Sequence, residues 1–476
     1  ASDVYKRQPM KQTSRDGVSL KKLKNNKGNV IMQETLSHYF GYKSFRPGQE
    51  EIITKILNHQ HTLGVLPTGG GKSICYQVPG LMQGGTTIVI SPLISLMKDQ
   101  VDQLQAMGIQ AAYLNSSLTH KQQKEIEEQI KRGAIQFLYV APERFENTFF
   151  LNLLRKIEIP LIAFDEAHCI SKWGHDFRPS YQSVIQKVFT LPQNFTIVAL
   201  TATATAEVQQ DIMSKLSIGQ NDVVKTSTKR RNLIFKVNPT YQRQKFVVDY
   251  VANHEGQAGI IYCSTRKQVE ELHEALNSEK IKSTIYHAGL TNKERIEAQN
   301  DFLYDRVEVV IATNAFGMGI DKSNVRYVIH YNMPGDLESY YQEAGRAGRD
   351  GLKSECILLF SERDKGLHEY FITVSQADDD YKDKMGEKLT KMIQYTKTKK
   401  CLEATIVHYF EPNENLEECN QCSNCIQENK TYDMTREAKM IISCIARMKQ
   451  QENYSVIIQV LRGEVTDYIK HHHYNE

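Results

Sequence analysis

Leu63-Gly64-Val65-Leu66-Pro67-Thr68-Gly69-Gly70-Gly71-Lys72-Ser73 is the stretch on which the reading of this chain turns. An apolar run, Leu63 to Leu66, gives way to three consecutive glycines, a lysine and a serine, and a helix is expected to begin near Ser73. Three glycines let the backbone fold tightly, so that N–H groups and the helix N-terminus point at phosphate oxygens. Thr68, Gly69, Gly70 and Gly71 then form a cradle, Lys72 reaches the β- and γ-phosphates, and the Ser73 hydroxyl ligates Mg²⁺. Leu66 stands where the stricter pattern has its first glycine. A flexible glycine turn ahead of a helix would carry the same letters, so other motifs must decide.

Two do. Asp165-Glu166-Ala167-His168 follows the apolar run Leu161 to Phe164, at the carboxyl end of a strand, where α/β sheets place their ligands. Adjacent carboxylates divide the work: Asp165 enters the Mg²⁺ shell and Glu166 activates the attacking water as general base. A solvated acidic helix start fits these letters equally well when they stand alone. Farther on, Gly345-Arg346-Ala347-Gly348-Arg349-Asp350-Gly351 sets two arginines three residues apart. They are expected on one helical face, pointing into a cleft between lobes, where an arginine finger stabilises charge on a transferred phosphoryl group. The alternative is a helix end with surface arginines, but glycines are costly in a helix that has no close contact to serve.

Around these motifs the chain of 476 residues is too long for one compact core. Its 40% hydrophobic and 24% charged residues exclude a collagenous, low-complexity or mainly disordered chain. No apolar run reaches the ~18 residues of a membrane helix, and the charged start has no apolar segment of a secretory signal. The net charge of +3 is too weak to announce a polyanion partner. Residues 1–31 hold eight basic and two acidic side chains, which leaves 51 basic against 54 acidic from Met32 onward. Nucleic-acid binding therefore has to come from local clusters and backbone donors. Residues 1–31 are expected to be a non-native or disordered leader. Asp3 to Gln8 resembles a translated sequencing adapter, Lys27-Gly28 a translated ribosome-binding sequence, and Met32 a natural start; a genuine basic arm is the alternative.

From Met32, short apolar runs alternate with longer mixed stretches, the signature of repeated strand–helix units around parallel sheets. One series comprises Thr86–Ile90, Gln136–Val140, Leu161–Phe164 and Thr196–Leu200. A second comprises Gly259–Cys263, Lys282–Tyr286, Val307–Ile311 and Val325–Ile329. Residues 222–242 read as a polar connection carrying Lys229, Arg230 and Arg231. The expected divisions are thus 32–228 and 229–362 for two lobes, then 363–430 for a helical module with cysteines, and 431–476. Of nine cysteines, Cys401, Cys419, Cys422 and Cys425 have the spacing of a tetrahedral thiolate site for Zn²⁺. Three closely spaced cysteines also suit an iron–sulfur cluster. The other five read as free thiols of a reducing compartment.

From about Leu36 to Gly463, the motifs and their order resemble the RecQ family of superfamily 2 DNA helicases. Phe40-Gly41-Tyr42, Phe45-Arg46 and Gln49 match its adenine-recognition segment, which implies that Tyr42 stacks on the base while Arg46 and Gln49 contact it. Ser91 to Met97 with Asp99-Gln100, and Ala141-Pro142-Glu143-Arg144, resemble motifs that grip the DNA backbone. Thr201-Ala202-Thr203-Ala204 resembles the motif that couples hydrolysis to strand movement. The segment Ile170 to Tyr181, with Trp173, His175, Phe177 and Arg178, matches the family's aromatic-rich loop. Aromatic faces stack on bases at ~1–3 kcal/mol each without regard to sequence. The resemblance implies that DNA on this loop orders Glu166 and His168. Ala315 to Lys322 and Tyr340 to Arg346 also match; they imply that Arg346 and Arg349 act across the lobes and that Gln342 senses the nucleotide. Leu402-Glu403 follows Cys401 where the family commonly has basic residues.

The expected fold is therefore α/β: two RecA-like parallel-sheet lobes, a small helical zinc-binding module and an incomplete winged helix. The resemblance implies an ATP-dependent 3′–5′ DNA helicase of repair and recombination, with ATP, Mg²⁺ and Zn²⁺ as cofactors. Its partners would be single-stranded and tailed or branched duplex DNA, with no membrane, at a cytoplasmic, nucleoid-associated location. No residue pattern supports a protein partner such as single-strand binding protein. Three rivals stand beside this reading: a motor that translocates without unwinding, an RNA helicase of the DEAD/DEAH type, and a DNA-binding module with a decayed ATPase.

Overall fold

The computed structural model describes residues 27–116, 118–174, 176–317, 322–426, 434–449 and 452–474. Its strands, in chain order, are β1 (Thr62–Val65), β2 (Thr87–Ile90), β3 (Ala111–Leu114), β4 (Phe137–Val140), β5 (Leu161–Phe164), β6 (Thr196–Thr201) and β7 (Val223–Lys225), then β8 (Leu233–Pro239), β9 (Ala258–Tyr262), β10 (Ser283–Tyr286), β11 (Val309–Ala312), β12 (Val325–His330) and β13 (Ser354–Phe360). They form two wholly parallel sheets, ordered β3-β4-β2-β5-β6-β1-β7 and β10-β11-β9-β12-β13-β8. Parallel strands are covered by helices on both faces and therefore read as unbroken apolar runs. The central strands of the first sheet are buried along their whole length. Threonines close several of the strand-to-helix loops: Thr119, Thr205, Thr265 and Thr291 each accept an N–H of the following helix.

The expected strands are present, but the segment 222–242 is not merely a polar connection. It contributes β7 to the edge of the first sheet and β8 to the edge of the second. Edge strands are half solvated, so β8 alternates buried Leu233 and Phe235 with more exposed positions and looks diluted as sequence. The free connection shrinks to residues 226–232. At the other end, the helix Lys27–Thr35 crosses the expected boundary at Met32, and Met32 itself packs with Leu36, Ile53, Ile74 and Val78. Residues 1–26 lie outside the described residues.

Beyond β13 come the helices Glu362–Val374, Asp379–Lys397 and Leu402–Phe410, and the short turn of helix Ser423–Ile426. Their apolar faces share one core with the second sheet. Tyr395 meets Tyr340, and Phe410 meets Tyr341, each pair with ring centroids 5.4 Å apart. Residues 427–476 make a separate unit with helices Thr435–Arg447, Tyr454–Leu461 and Asp467–His471. Among the described residues, no helix is long and apolar enough to cross a membrane.

One side chain joins this helical module to both lobes. Lys388, buried on Asp379–Lys397, pairs with buried Glu338 of the second lobe at 3.0 Å and donates to the Trp173 carbonyl of the first at 2.8 Å. Burial and the nearby Asp336 raise the Glu338 carboxyl above its ordinary range, and the Lys388 ammonium opposes that shift. Lys388→Ala would strand the carboxylate without its partner. It should destabilise the protein by about 3 kcal/mol, seen as an earlier thermal or urea transition.

Candidate active site

The phosphate loop rises from β1. Leu66, in place of a glycine, is buried in the core under the sheet, and its N–H bonds to the Thr201 carbonyl at 3.0 Å, so it anchors the loop instead of bending it. The bend is left to the glycines. Gly69 and Gly71 take φ of +79° and +73°, and a side chain on Gly70 would meet the Pro67 carbonyl at 2.8 Å. The helix Ile74–Gln83 follows with Ser73 as its N-cap residue, as the sequence implied.

Tyr42, Arg46, Gln49, Thr68, Gly69, Gly71, Lys72, Ser73, Asp165, Glu166, Gln342, Arg346 and Arg349 line one cleft of about 400 Å³. Gly70 lies beneath it. Gln49 Nε2 donates to the carbonyls of Gly70 (3.1 Å) and Gly71 (2.9 Å), its Oε1 accepts the Arg46 N–H at 2.8 Å, and the Arg46 guanidinium donates to Gly69 O. Both side chains thus brace the phosphate loop directly. Tyr42 is half exposed at the mouth of the cleft.

Asp165 and Glu166 follow β5. The Asp165 N–H continues the sheet by bonding to Ile90 O at 2.9 Å, and Glu166 adopts a left-handed backbone, φ +47°, of the strained kind held at functional sites. Burial, and then the Glu166 charge, raise the Asp165 carboxyl well above its ordinary range, while Lys72 opposes them. A buried carboxylate beside a second one calls for a cation, and the oxygen donors of Ser73 and Asp165 suit Mg²⁺. His168 Nδ1 lies 3.0 Å from Thr201 Oγ1 and 3.4 Å from Glu166 Oε2. The Thr201 hydroxyl donates to Thr203 O at 3.0 Å, which leaves His168 Nδ1 as the donor toward Thr201.

The two arginines do not share a helical face. The helix Leu337–Ala344 ends before them, and Gly348, at φ +58°, breaks any continuation. Both nevertheless line the cleft from successive turns. The Arg346 guanidinium donates to the Gly317 carbonyl, and the Arg349 side chain packs against Gly69.

The DNA-contact candidates divide differently. Ser91, Thr201 and Thr203 are buried, and the Ser91 and Thr203 hydroxyls have no hydrogen-bond partner among the described residues. Trp173 is half-buried against the first lobe's core, with Lys172 Nζ 5.5 Å and Lys384 Nζ 5.9 Å from its ring centroid. Phe177 is half-buried nearby. Arg178 donates to Pro92 O at 3.0 Å and pairs with Asp176. His175 lies outside the described residues, as do Met318 to Asp321 of the second-lobe motif. Sequence reasoning missed Lys384 and Lys388, which reach this loop from 200 residues away in sequence; only their helix placement brings them there.

Cys401, Cys419, Cys422 and Cys425 converge with their sulfurs all within 4.8 Å of one another. The separations of 3.5 Å (Cys422–Cys425), 3.9 Å (Cys401–Cys422) and 4.0 Å (Cys419–Cys425) match the ~3.8 Å edge of a tetrahedron with Zn–S bonds of about 2.3 Å. They are too close to bracket a cluster of several irons. Backbone N–H groups of Leu402, Ala404 and Cys422 donate to these sulfurs, and the neighbouring Cys401 thiol holds the Cys422 thiol well below its usual range. Leu402 and Glu403 are both buried, so neither presents a surface to DNA.

Four family models match the chain in succession: DEAD/DEAH box helicase over residues 46–212, helicase conserved C-terminal domain over 242–351, RecQ zinc-binding over 362–426, and RQC domain over 428–476. The ATP-dependent DNA helicase RecQ of Bacillus subtilis is 48% identical over 432 residues, 90% of this chain and 73% of that protein. The chain belongs to the RecQ family. The RecQ of Haemophilus influenzae is 42% identical, over 90% of this chain and 69% of that protein. The solved structure of Mycobacterium smegmatis helicase Lhr bound to ssDNA and AMP-PNP shares the fold at 17% identity, with a TM-score of 0.57 over 77% of this chain and 57% of that one. Saccharomyces cerevisiae Dbp5 bound to RNA and ADP BeF3 does so at 19% identity and 0.57, over 75% and 97%. As a RecQ helicase the chain is a DNA-dependent ATPase whose substrate is DNA and whose cofactors are ATP, Mg²⁺ and Zn²⁺. Metal analysis should find about one zinc per chain, and Cys422→Ser should lower that content and the melting temperature together.

Proposed function

We propose that this RecQ helicase hydrolyses ATP in the cleft between its lobes, moves 3′ to 5′ along single-stranded DNA and unwinds tailed or branched duplexes in repair and recombination. The observation that carries the reading is the approach of the two lobes across the nucleotide loop. A side chain on Gly345 would come within 3.2 Å of Thr68 Cβ, and one on Gly69 within 3.4 Å of Arg349. Hydrolysis in such a cleft turns bond chemistry into lobe movement, because the groups that sense the phosphates belong to opposite lobes.

In this reading Tyr42, Arg46 and Gln49 face the base, Thr68 to Ser73 hold the phosphates, and Ser73 with Asp165 holds Mg²⁺. The metal supplies charge neutralisation at the transferred phosphate. Glu166 accepts the proton of the attacking water, and His168, held by Thr201, stands 3.4 Å from that carboxylate. Arg349, packed on the loop, takes the charge that develops on the phosphoryl group. Arg346 holds the turn that carries it, and Gln342 reports the nucleotide. Ser91, Trp173, His175, Phe177, Arg178, Thr201 and Thr203 form the DNA-responsive side. The buried threonines respond through the backbone and His168, and the Trp173 loop makes direct contact. We assign the lobes to 32–228 and 229–362, the zinc module to 363–430 and a winged-helix portion to 431–476, and place the protein in the cytoplasm at the nucleoid.

Residues 32–476 with ATP and Mg²⁺ should displace the strand of a duplex carrying a 3′ single-stranded tail, and Lys72→Ala should lower turnover by about 10²- to 10³-fold. Displacement from a 5′ tail alone would overturn the polarity. DNA-stimulated hydrolysis without displacement would leave a motor that does not unwind. Trp173→Ala should weaken DNA stimulation more than basal hydrolysis; equal losses would make Trp173 a structural residue.

A further inference from the structure

The connection between the lobes, residues 226–232, is tied down along its length. Thr226 N–H extends the first sheet by bonding to Val65 O at 3.1 Å, and Thr228 N–H bonds to Glu411 Oε1 at 2.7 Å. Gln421, between two zinc-ligand cysteines, donates to the carbonyls of Arg231 and Leu233, each at 3.1 Å. From this fixed base the Arg230 side chain reaches in two directions. Nη1 donates to Thr68 O of the phosphate loop at 2.7 Å, and Nη2 donates to Ala347 O and Gly348 O of the arginine turn, both at 3.2 Å. Asn232 secures the same turn, donating to Gly348 O at 2.8 Å.

We infer that Arg230 is a positioning residue for hydrolysis: a strut that sets the arginine turn against the phosphate loop when the cleft closes. The inference rests on the reading of that cleft as the ATP-hydrolysing site. Arg230 is absent from the cleft lining, so it acts through the groups it holds. A planar guanidinium offers donors along several edges and can bridge carbonyls of two lobes at once, whereas an ammonium is a single point on a flexible stem. Thr68 is the first residue of the phosphate cradle, and Ala347 and Gly348 lie between Arg346 and Arg349. Fixing these three carbonyls with one rigid group therefore fixes the distance from Arg349 to the transferred phosphate. Misplacing such a group by an ångström can slow chemistry ~10²-fold with little effect on binding. The position of the strut on the interlobe connection, itself bound by Glu411 and Gln421, makes the zinc module the footing of that alignment.

The test is steady-state ATP hydrolysis with saturating single-stranded DNA, for Arg230→Ala and Arg230→Lys, beside melting temperature and DNA affinity. Both variants should lose about 10- to 100-fold in kcat, while KM for ATP and the Kd for DNA stay within about threefold. Should Arg230→Ala melt early, Arg230→Lys decides, since it keeps the charge and the aliphatic stem. Normal kcat in Arg230→Lys would overturn the strut, because charge alone would then suffice. A parallel fall of kcat and melting temperature in both variants would overturn it too. Arg349→Ala separates the two levels. If that variant retains turnover, the reading of the cleft fails; if it loses turnover while the Arg230 variants keep theirs, only the strut fails.

Discussion

Two lobes that share one nucleotide have to meet across its phosphates, and here the meeting is made of glycines and backbone carbonyls. Gly69 has a backbone conformation that a side chain would strain, and a side chain on Gly345 would crowd Thr68 at 3.2 Å. The rest of the catalytic arrangement depends on that approach. It brings Arg349 against the loop that Lys72 closes, and it allows the Thr68 and Gly348 carbonyls to be reached by the same guanidinium. The two lobes bring different charged groups to the cleft. The first supplies Asp165, Glu166 and Lys72, and the second supplies the arginines.

Burial sharpens this division. Asp165 is buried beside a second carboxylate, a position that disfavours its charge unless a cation is close. Lys72 is the protein's own compensation, and a bound Mg²⁺ would add to it. A cation bound beside Asp165 would therefore favour its ionised form. Glu166, His168 and Thr201 lie side by side, from the end of β5 to the end of β6.

The nucleotide residues were legible because each group is local and punctuated: glycines, one lysine and a paired carboxylate at strand ends. Strand order in a parallel sheet then gathers those ends without further information. The arginine turn was legible as chemistry but not as conformation, since the sequence pattern suggests a helix and Gly348 stops it. The burial of Thr201 and Thr203 was not legible in a Thr-Ala-Thr-Ala string; Thr201 ends β6, an interior strand of the sheet, and Thr203 follows it, buried as well. β8 hid because an edge strand mixes polar positions into its apolar run. Arg230 sat in view as one of three adjacent basic residues; nothing in the local letters distinguishes the one that turns inward from Lys229 or Arg231. That distinction depends on partners 117 to 162 positions away.

The cysteine site acquires its meaning in the same way. As sequence it is a closed loop of four ligands; in the fold it is the end of the second lobe's core, where Cys422 and Cys401 are buried with Leu402 and Phe410. The metal holds the start of the helix Leu402–Phe410 to the turn that contains Gln421, and the far end of that helix delivers Glu411 to the Thr228 N–H. Zinc thus fixes two points on the seven-residue connection from which Arg230 extends. That helix and turn already pack into the second lobe's core, and thiolate ligation would add a covalent tie between them. The tie lies at a place where a small angular error would be carried straight into the cleft.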